Sequence, residues 1–187
     1  MIVLASASPR RQELLRYAGI PFTVQSADIH EMPLAGEAPR DCAERLAREK
    51  ALSVFQTQSG NYVLGADTVV VVDDTILGKP RDAGDAGRML RLLSGRTHAV
   101  ITGVCLVSPV ASAARTASES TMVTMCELSD DEIRDYVATG EPMDKAGAYA
   151  IQGIASRWIL RIEGDYSNVV GLPVALVYRM LREQGAL

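Results

Sequence analysis

A carboxylate stranded in a β-branched run is the first residue of this sequence that demands a chemical explanation. Asp67 interrupts Leu64-Gly-Ala-Asp-Thr-Val-Val70, and a carboxylate in such a strand must be met by a cation, a metal ion or an open cleft. A bulge or a salt bridge would be the structural solution; Gly65 beside it also permits close approach of a ligand or another backbone. Lys50 raises the same question on a helix. It falls on the apolar stripe of Ala43, Leu46, Ala47, Ala51 and Val54, where a lysine either snorkels to the edge or aims its ammonium at something negative. Glu31, in Asp28-Ile-His-Glu, is either a surface charge or a second oxygen ligand. Two carboxylates suit Mg²⁺ or Mn²⁺ better than zinc.

A second constellation is Ser6-Ala-Ser8-Pro9-Arg10-Arg11, placed where a strand turns into a helix. A helix start exposes unpaired N–H groups and a partial positive charge, so two arginines there cost ~0.3–1 kcal/mol each without an anion. Serine hydroxyls, backbone donors and two guanidiniums together form a phosphate cradle; exposed arginines at a helix start are the plain alternative. Lys79 in Gly78-Lys-Pro80 is held by local rigidity, but it is not a P-loop lysine, since Pro80 stands where Ser or Thr would hold magnesium. The other common nucleotide and hydrolase signatures are absent. His30 and His98 lack metal-ligand spacing and read as structural or surface residues. Met122 and Met125 read as sheet or core filling, not as a binding stripe.

The elements that must position these groups follow from periodicity and punctuation. Ile2 to Ala5 is a short strand, Ser8-Pro9 opens a helix with Leu14, Leu15 and Ala18 on its buried stripe, and Gly19 stops it. Phe22-Thr-Val is strand-like, and a second helix is expected from about Pro39 to Phe55. Tyr62 to Val72 and Thr75 to Leu77 form a hairpin across Asp73-Asp74. Asp82 caps a helix through Leu93, and strands follow at Thr97 to Val107 and, after a small-residue loop, Thr116 to Cys126. Ser129-Asp-Asp-Glu132 is a capping box for a helix ending at Gly140. Glu141 to Gly147 reads as loop, Tyr149 to Gln152 and Trp158 to Glu163 as short strands, and Pro173 as the start of a last helix. Helices and strands alternate without repeats, so the class is α/β with a mixed sheet.

The 187 residues suffice for one domain, residues 1–187, with 48% hydrophobic and 22% charged residues, which excludes a disordered or collagen-like chain. A net charge of -4 provides no basic field for a nucleic-acid polymer or an anionic membrane, so a polyanionic ligand must be held by a local cluster. The longest mostly apolar run, Val169 to Tyr178, contains Gly171 and Pro173 and is too short to span a bilayer. Cys42, Cys105 and Cys126 are odd in number and widely spaced, which points to a reducing compartment. No signal peptide is evident at the N-terminus, and a cytoplasmic protein is expected.

Six segments together, Leu4 to Leu15, Arg45 to Ala51, Gly65 to Val70, Gly78 to Asp82, Glu141 to Tyr149 and Val170 to Pro173, resemble in order the Maf family, the septum-formation-inhibitor-like nucleotide pyrophosphatases. The resemblance implies an elongated mixed sheet with flanking helices and two lobes around a deep cleft. It further implies a homodimer, a divalent metal cation, and hydrolysis of nucleoside triphosphates to monophosphate and pyrophosphate. It makes Asp67 the catalytic carboxylate, with Glu31 as its partner on the metal. It sets Ser8, Arg11, Lys50 and Lys79 at phosphate-facing positions and puts Glu13 and Lys145 inside matching motifs that bind substrate. Arg10, Thr68 and Gln152 fall at the specificity positions of the dTTP/UTP branch. A uracil or thymine edge presents acceptor, donor and acceptor in a row, which one glutamine amide can pair at two points. Two alternatives accompany this expectation: a nucleotide-binding regulator of septum formation with incidental turnover, and the same hydrolysis acting on a methylated purine triphosphate.

Overall fold

The computed structural model describes residues 1–110 and 113–187. Elements follow in the order β1 (Ile2–Leu4), α1 (Pro9–Tyr17), β2 (Phe22–Val24), α2 (Pro39–Phe55), β3 (Tyr62–Val72), β4 (Thr75–Leu77), α3 (Ala83–Leu93), β5 (Thr97–Val107), β6 (Ala114–Met125), α4 (Asp130–Ala138), β7 (Ile159–Glu163), α5 (Tyr166–Val170) and α6 (Val174–Glu183), with three short 3₁₀ turns between α4 and β7. The seven strands form one mixed sheet in the order β2-β1-β3-β5-β6-β7, with β4 paired to β3. β1 is parallel to β2 and to β3, whereas β4 runs antiparallel to β3 and β7 antiparallel to β6. The chain divides into two units, one of Met1–Thr68, Thr102–Glu119 and Gly171–Leu187, the other of Val69–Ile101 and Ser120–Val170.

In the first unit the period of two along each strand sorts side chains into two layers. Ile2, Leu4, Leu64, Ala66, Val104 and Leu106 face Leu15 of α1 and Leu176, Val177, Met180 and Leu181 of α6. The intervening Val3, Ala5, Val63, Cys105 and Val107 face Ala47, Ala51 and Val54 of α2. Each large side chain buried in these layers contributes roughly 2 kcal/mol. The α2 layer is unusually thin because glycine stands on the sheet beneath it. A Cβ at Gly65 would lie 2.2 Å from the Ala47 carbonyl oxygen, and one at Gly103 would lie 2.3 Å from that of Ala43. The helix backbone therefore rests on strand backbone, which small residues alone permit.

In the second unit Asp73 and Asp74 take φ of 47° and 59° between paired Val72 and Thr75, the left-handed pair of a two-residue hairpin turn. The Asp82 side chain caps α3 by accepting from the Asp85 N–H, and both reciprocal bonds of the Ser129–Glu132 capping box are present on α4. Trp158 packs edge-on against Tyr136 at 5.1 Å while its indole N–H donates to Glu132 at 3.3 Å.

Several sequence expectations are corrected here. Tyr149 to Gln152 is not a strand: Tyr149, Ala150 and Ile151 are buried in succession, a pattern that fits a buried turn and not a half-exposed strand. Glu141 to Gly147, expected as loop, is wound into two 3₁₀ turns, and the last strand begins at Ile159, since Trp158 closes a third. Ala18 is exposed just past the end of α1. Met122 and Met125 both lie on β6, as sheet or core filling requires, Met125 in the core and Met122 40% exposed on the sheet. The helix α5 was not anticipated. The middle of the small-residue loop after Val107, residues 111 and 112, lies outside the described residues.

Candidate active site

Parity on β3 decides where the central residues point. Val63, Gly65 and Asp67 share the α2 face; Leu64, Ala66 and Thr68 share the α1 and α6 face. Asp67 thus meets Lys50, which lies on α2 between Ala47 and Ala51, the helix residues that sit on Gly65. The Lys50 ammonium donates to Asp67 Oδ1 at 2.6 Å and pairs with Glu31 Oε1 at 2.7 Å. Lys50 and Asp67 are buried, while the Glu31 side chain is 37% exposed. Among the described residues Asp67 Oδ2 has no hydrogen-bond partner, so one oxygen is held and the other is available. Lys50 is therefore not the snorkelling residue that its place on an apolar stripe allows; it gathers two carboxylates, one from β3 and one from the segment before α2.

The opposite face of β3 holds Arg11. Its Nε donates to the Gly171 carbonyl at 2.8 Å, Nη1 to Ser6 Oγ at 3.2 Å and Nη2 to Thr68 Oγ1 at 3.1 Å. Three of a guanidinium's five N–H donors are thereby committed and two remain. Burial pulls Arg11 below its ordinary value, while the charges of Asp67 and Glu31 pull it back up. Thr68 Oγ1 also lies 2.9 Å from Thr102 Oγ1 on β5. Ser8 stands at the N-cap of α1 with Pro9 following, and its hydroxyl does not cap the helix. Arg10 is half-buried in the first turn and Glu13 lies on the exposed side.

The second unit carries the other three sequence candidates. Lys79 is exposed after β4, and the Gly147 N–H donates to the Gly78 carbonyl at 3.1 Å, tying that loop to the turn after Lys145. The Lys145 ammonium donates to the Glu141 carbonyl at 2.8 Å. Gln152 is exposed on a turn whose backbone is held from within: Glu141 Oε1 accepts from Ile154 N at 3.0 Å and from the Tyr136 hydroxyl at 2.8 Å, and that hydroxyl accepts from Ala150 N at 3.2 Å. Sequence reasoning missed Thr102 and Glu141 as supports, and took the Ser6 hydroxyl for part of a phosphate cradle where it accepts from Arg11. Glu141 lay inside a matched motif, but its partner Ile154 gave no spacing signal.

Two carboxylates converging on one ammonium are hard oxygen donors of the kind Mg²⁺ and Mn²⁺ take together with phosphate oxygens and water. Glu31 and Asp67 fit such an ion as a pair. Among the described residues no three His, Cys, Asp or Glu side chains gather into a metal site without help, so the remaining ligands would come from the substrate and solvent.

An α/β fold that gathers paired carboxylates and a buried ammonium on one face of β3 and an anchored guanidinium on the other has the chemistry of a class of protein that handles a multiply charged anion. The family model described as Maf-like protein matches residues 1–184, and the chain belongs to the Maf family. Its relatives include the dTTP/UTP pyrophosphatase of Koribacter versatilis (strain Ellin345), 57% identical over 186 residues, covering 100% of this chain and 95% of the relative. The dTTP/UTP pyrophosphatase of Geobacter sp. (strain M21) is 54% identical over 100% of this chain and 96% of its own. That of Symbiobacterium thermophilum is 51% identical over 98% and 94%. Among the described residues no helix is long and apolar enough to cross a membrane.

Proposed function

We propose that this chain hydrolyses dTTP and UTP to the nucleoside monophosphate and pyrophosphate. The observation that carries the reading is the Glu31–Lys50–Asp67 cluster in a chain alike over its full length to relatives named dTTP/UTP pyrophosphatase. Asp67, held through Oδ1 by Lys50, orients the attacking water with Oδ2 and takes its proton. The bond from water oxygen to the α-phosphorus forms as the bond to the α–β bridging oxygen breaks, and pyrophosphate leaves. Ser8, Arg10, the two remaining donors of Arg11, Lys50 and Lys79 bind the phosphate oxygens. A divalent cation, held by Glu31 and Asp67, supplies neutralisation of phosphate charge when bound. Thr68, with Arg10, sets substrate choice, Gln152 pairs its amide with the pyrimidine edge, and Glu13 and Lys145 complete the substrate-binding set.

The same reading carries a place in the cytoplasm, with which three unbridged thiols, Cys42, Cys105 and Cys126, agree, and a homodimer, which light scattering on the purified chain tests. Incubation with a panel of triphosphates and Mg²⁺ or Mn²⁺, with products resolved, tests the reaction. The expected result is pyrophosphate from dTTP and UTP, and an Asp67→Asn variant that binds nucleotide but loses turnover by at least 100-fold. Release of single phosphates, or an Asp67→Asn variant that turns over as fast as the parent, would overturn the proposal.

A further inference from the structure

Glu31 sits in a stretch from Gln25 to Ala38 that has no helix or strand, yet its carboxylate is delivered to Lys50 Nζ at 2.7 Å. A half-exposed ion pair is too weak to order fourteen residues by itself. The grip comes from Arg45, a residue of the Arg45 to Ala51 segment to which the reaction assigns no part. Its Nε donates to Glu37 Oε1 at 2.6 Å and its Nη2 to Glu37 Oε2 at 2.8 Å, a two-pronged pair. Nη2 also donates to the carbonyl of Met32, the residue next to Glu31, at 3.0 Å, and Nη1 reaches Glu49 Oε1 at 3.1 Å. Glu37 in turn accepts from the Leu34 N–H at 3.0 Å. Its carboxyl is held down to about 2, chiefly by Arg45. The stretch is thus pinned at Met32, Leu34 and Glu37 to the same helix that carries Lys50, about 7.5 Å further along its axis.

We infer that Arg45 and Glu37 are a positioning pair that holds Glu31 beside Asp67 and so sets the protein's affinity for a divalent cation. This rests on the reading that Glu31 and Asp67 bind that cation. Partners that orient a metal-binding carboxylate typically change metal affinity 10–100-fold when removed.

The test is Mn²⁺ titration followed by electron paramagnetic resonance, with the α,β-methylene analogue of dTTP present, on the parent, Arg45→Met, Glu37→Gln, Glu31→Gln, Asp67→Asn and the Arg45→Met/Glu31→Gln double variant. Circular dichroism identifies any variant that does not fold, and Glu37→Gln, which keeps the shape of the clamp, carries the test if Arg45→Met does not. The expected result is Mn²⁺ binding weakened at least 10-fold by Arg45→Met and by Glu37→Gln, and less than twofold further change when Arg45→Met is added to Glu31→Gln. Unchanged binding in the folded clamp variants, with binding weakened by Glu31→Gln, overturns this inference alone. An Arg45→Met effect equally large without Glu31 also overturns it, since the residue would then act on general stability. If Glu31→Gln and Asp67→Asn both leave Mn²⁺ binding unchanged, it is the metal reading itself that fails.

Discussion

Replacing Gly65 with alanine presses directly on the geometry that joins Lys50 to Asp67. The added Cβ would lie 2.2 Å from the Ala47 carbonyl oxygen and 2.8 Å from the Ala51 nitrogen, where ordinary contact begins at 3.4 Å. Both neighbours are helix backbone and cannot rotate away, so α2 must retreat by about 1 Å in a layer already packed to crystal density. Overpacking of this kind costs roughly 1–3 kcal/mol, or roughly 2–12 °C in melting temperature for a chain of this size. The same retreat carries the Lys50 ammonium away from its 2.6 Å contact with Asp67 Oδ1, to a separation at which a hydrogen bond is lost. A misplacement of about 1 Å at a reacting group lowers turnover by about 100-fold. Calorimetric melting and pyrophosphate release from dTTP read the two effects side by side. Gly60→Ala is the control, because nothing lies within 4 Å of the Cβ it would add; it should melt close to the parent with full activity. A Gly65→Ala protein as stable and active as Gly60→Ala would refute the reasoning.

Further outcomes follow from other residues. His98 is buried with Nε2 2.8 Å from the Tyr149 hydroxyl, and burial pushes it down to about 4. Since the unfolded chain takes up this proton near pH ~6.5 and the folded chain does not, stability is full above that pH and falls as pH drops towards 4, by up to about 3 kcal/mol; urea midpoints across that window should lose this slope in His98→Gln. Ser129→Ala removes the acceptor for the Glu132 N–H on α4 and should cost about 1 kcal/mol by urea denaturation, whereas no loss would mean the cap contributes nothing. Gln152→Ala should lower the rate ratio of dTTP to purine triphosphates by at least 10-fold while leaving the melting temperature unchanged, because the side chain is exposed; an unchanged ratio would remove Gln152 from base recognition.

Much of the first unit was legible because its signals are local. The β-branched run of Tyr62 to Val72 placed β3, the stripe of Ala43, Leu46, Ala47, Ala51 and Val54 placed α2, and the oddness of Asp67 and Lys50 on those patterns marked them before their contact was known. What remained illegible depends on long-range partners. Nothing near Arg11 announces the Gly171 carbonyl 160 residues away, and Arg45 and Glu37, eight residues apart, match no helical spacing because one of them precedes the helix. Between Glu141 and Trp158 the chain is organised by the Glu141 carboxylate and the Tyr136 hydroxyl bonding to backbone, so hydrophobic periodicity has little to report there. Ala18 failed for a simpler reason: one apolar residue at an element's edge carries no period.

Asp67 and Thr68 are neighbours on one strand yet look into different layers, so the roles proposed for them, bond-breaking and ligand choice, would draw on separate sets of supporting side chains. The side chains around Arg11, Thr68 and Thr102 can be exchanged without disturbing the helix backbone that rests on Gly65. On the proposed roles, a lineage descended from such a scaffold could alter the contacts around Thr68 while the Lys50–Asp67 pair stays as it was inherited.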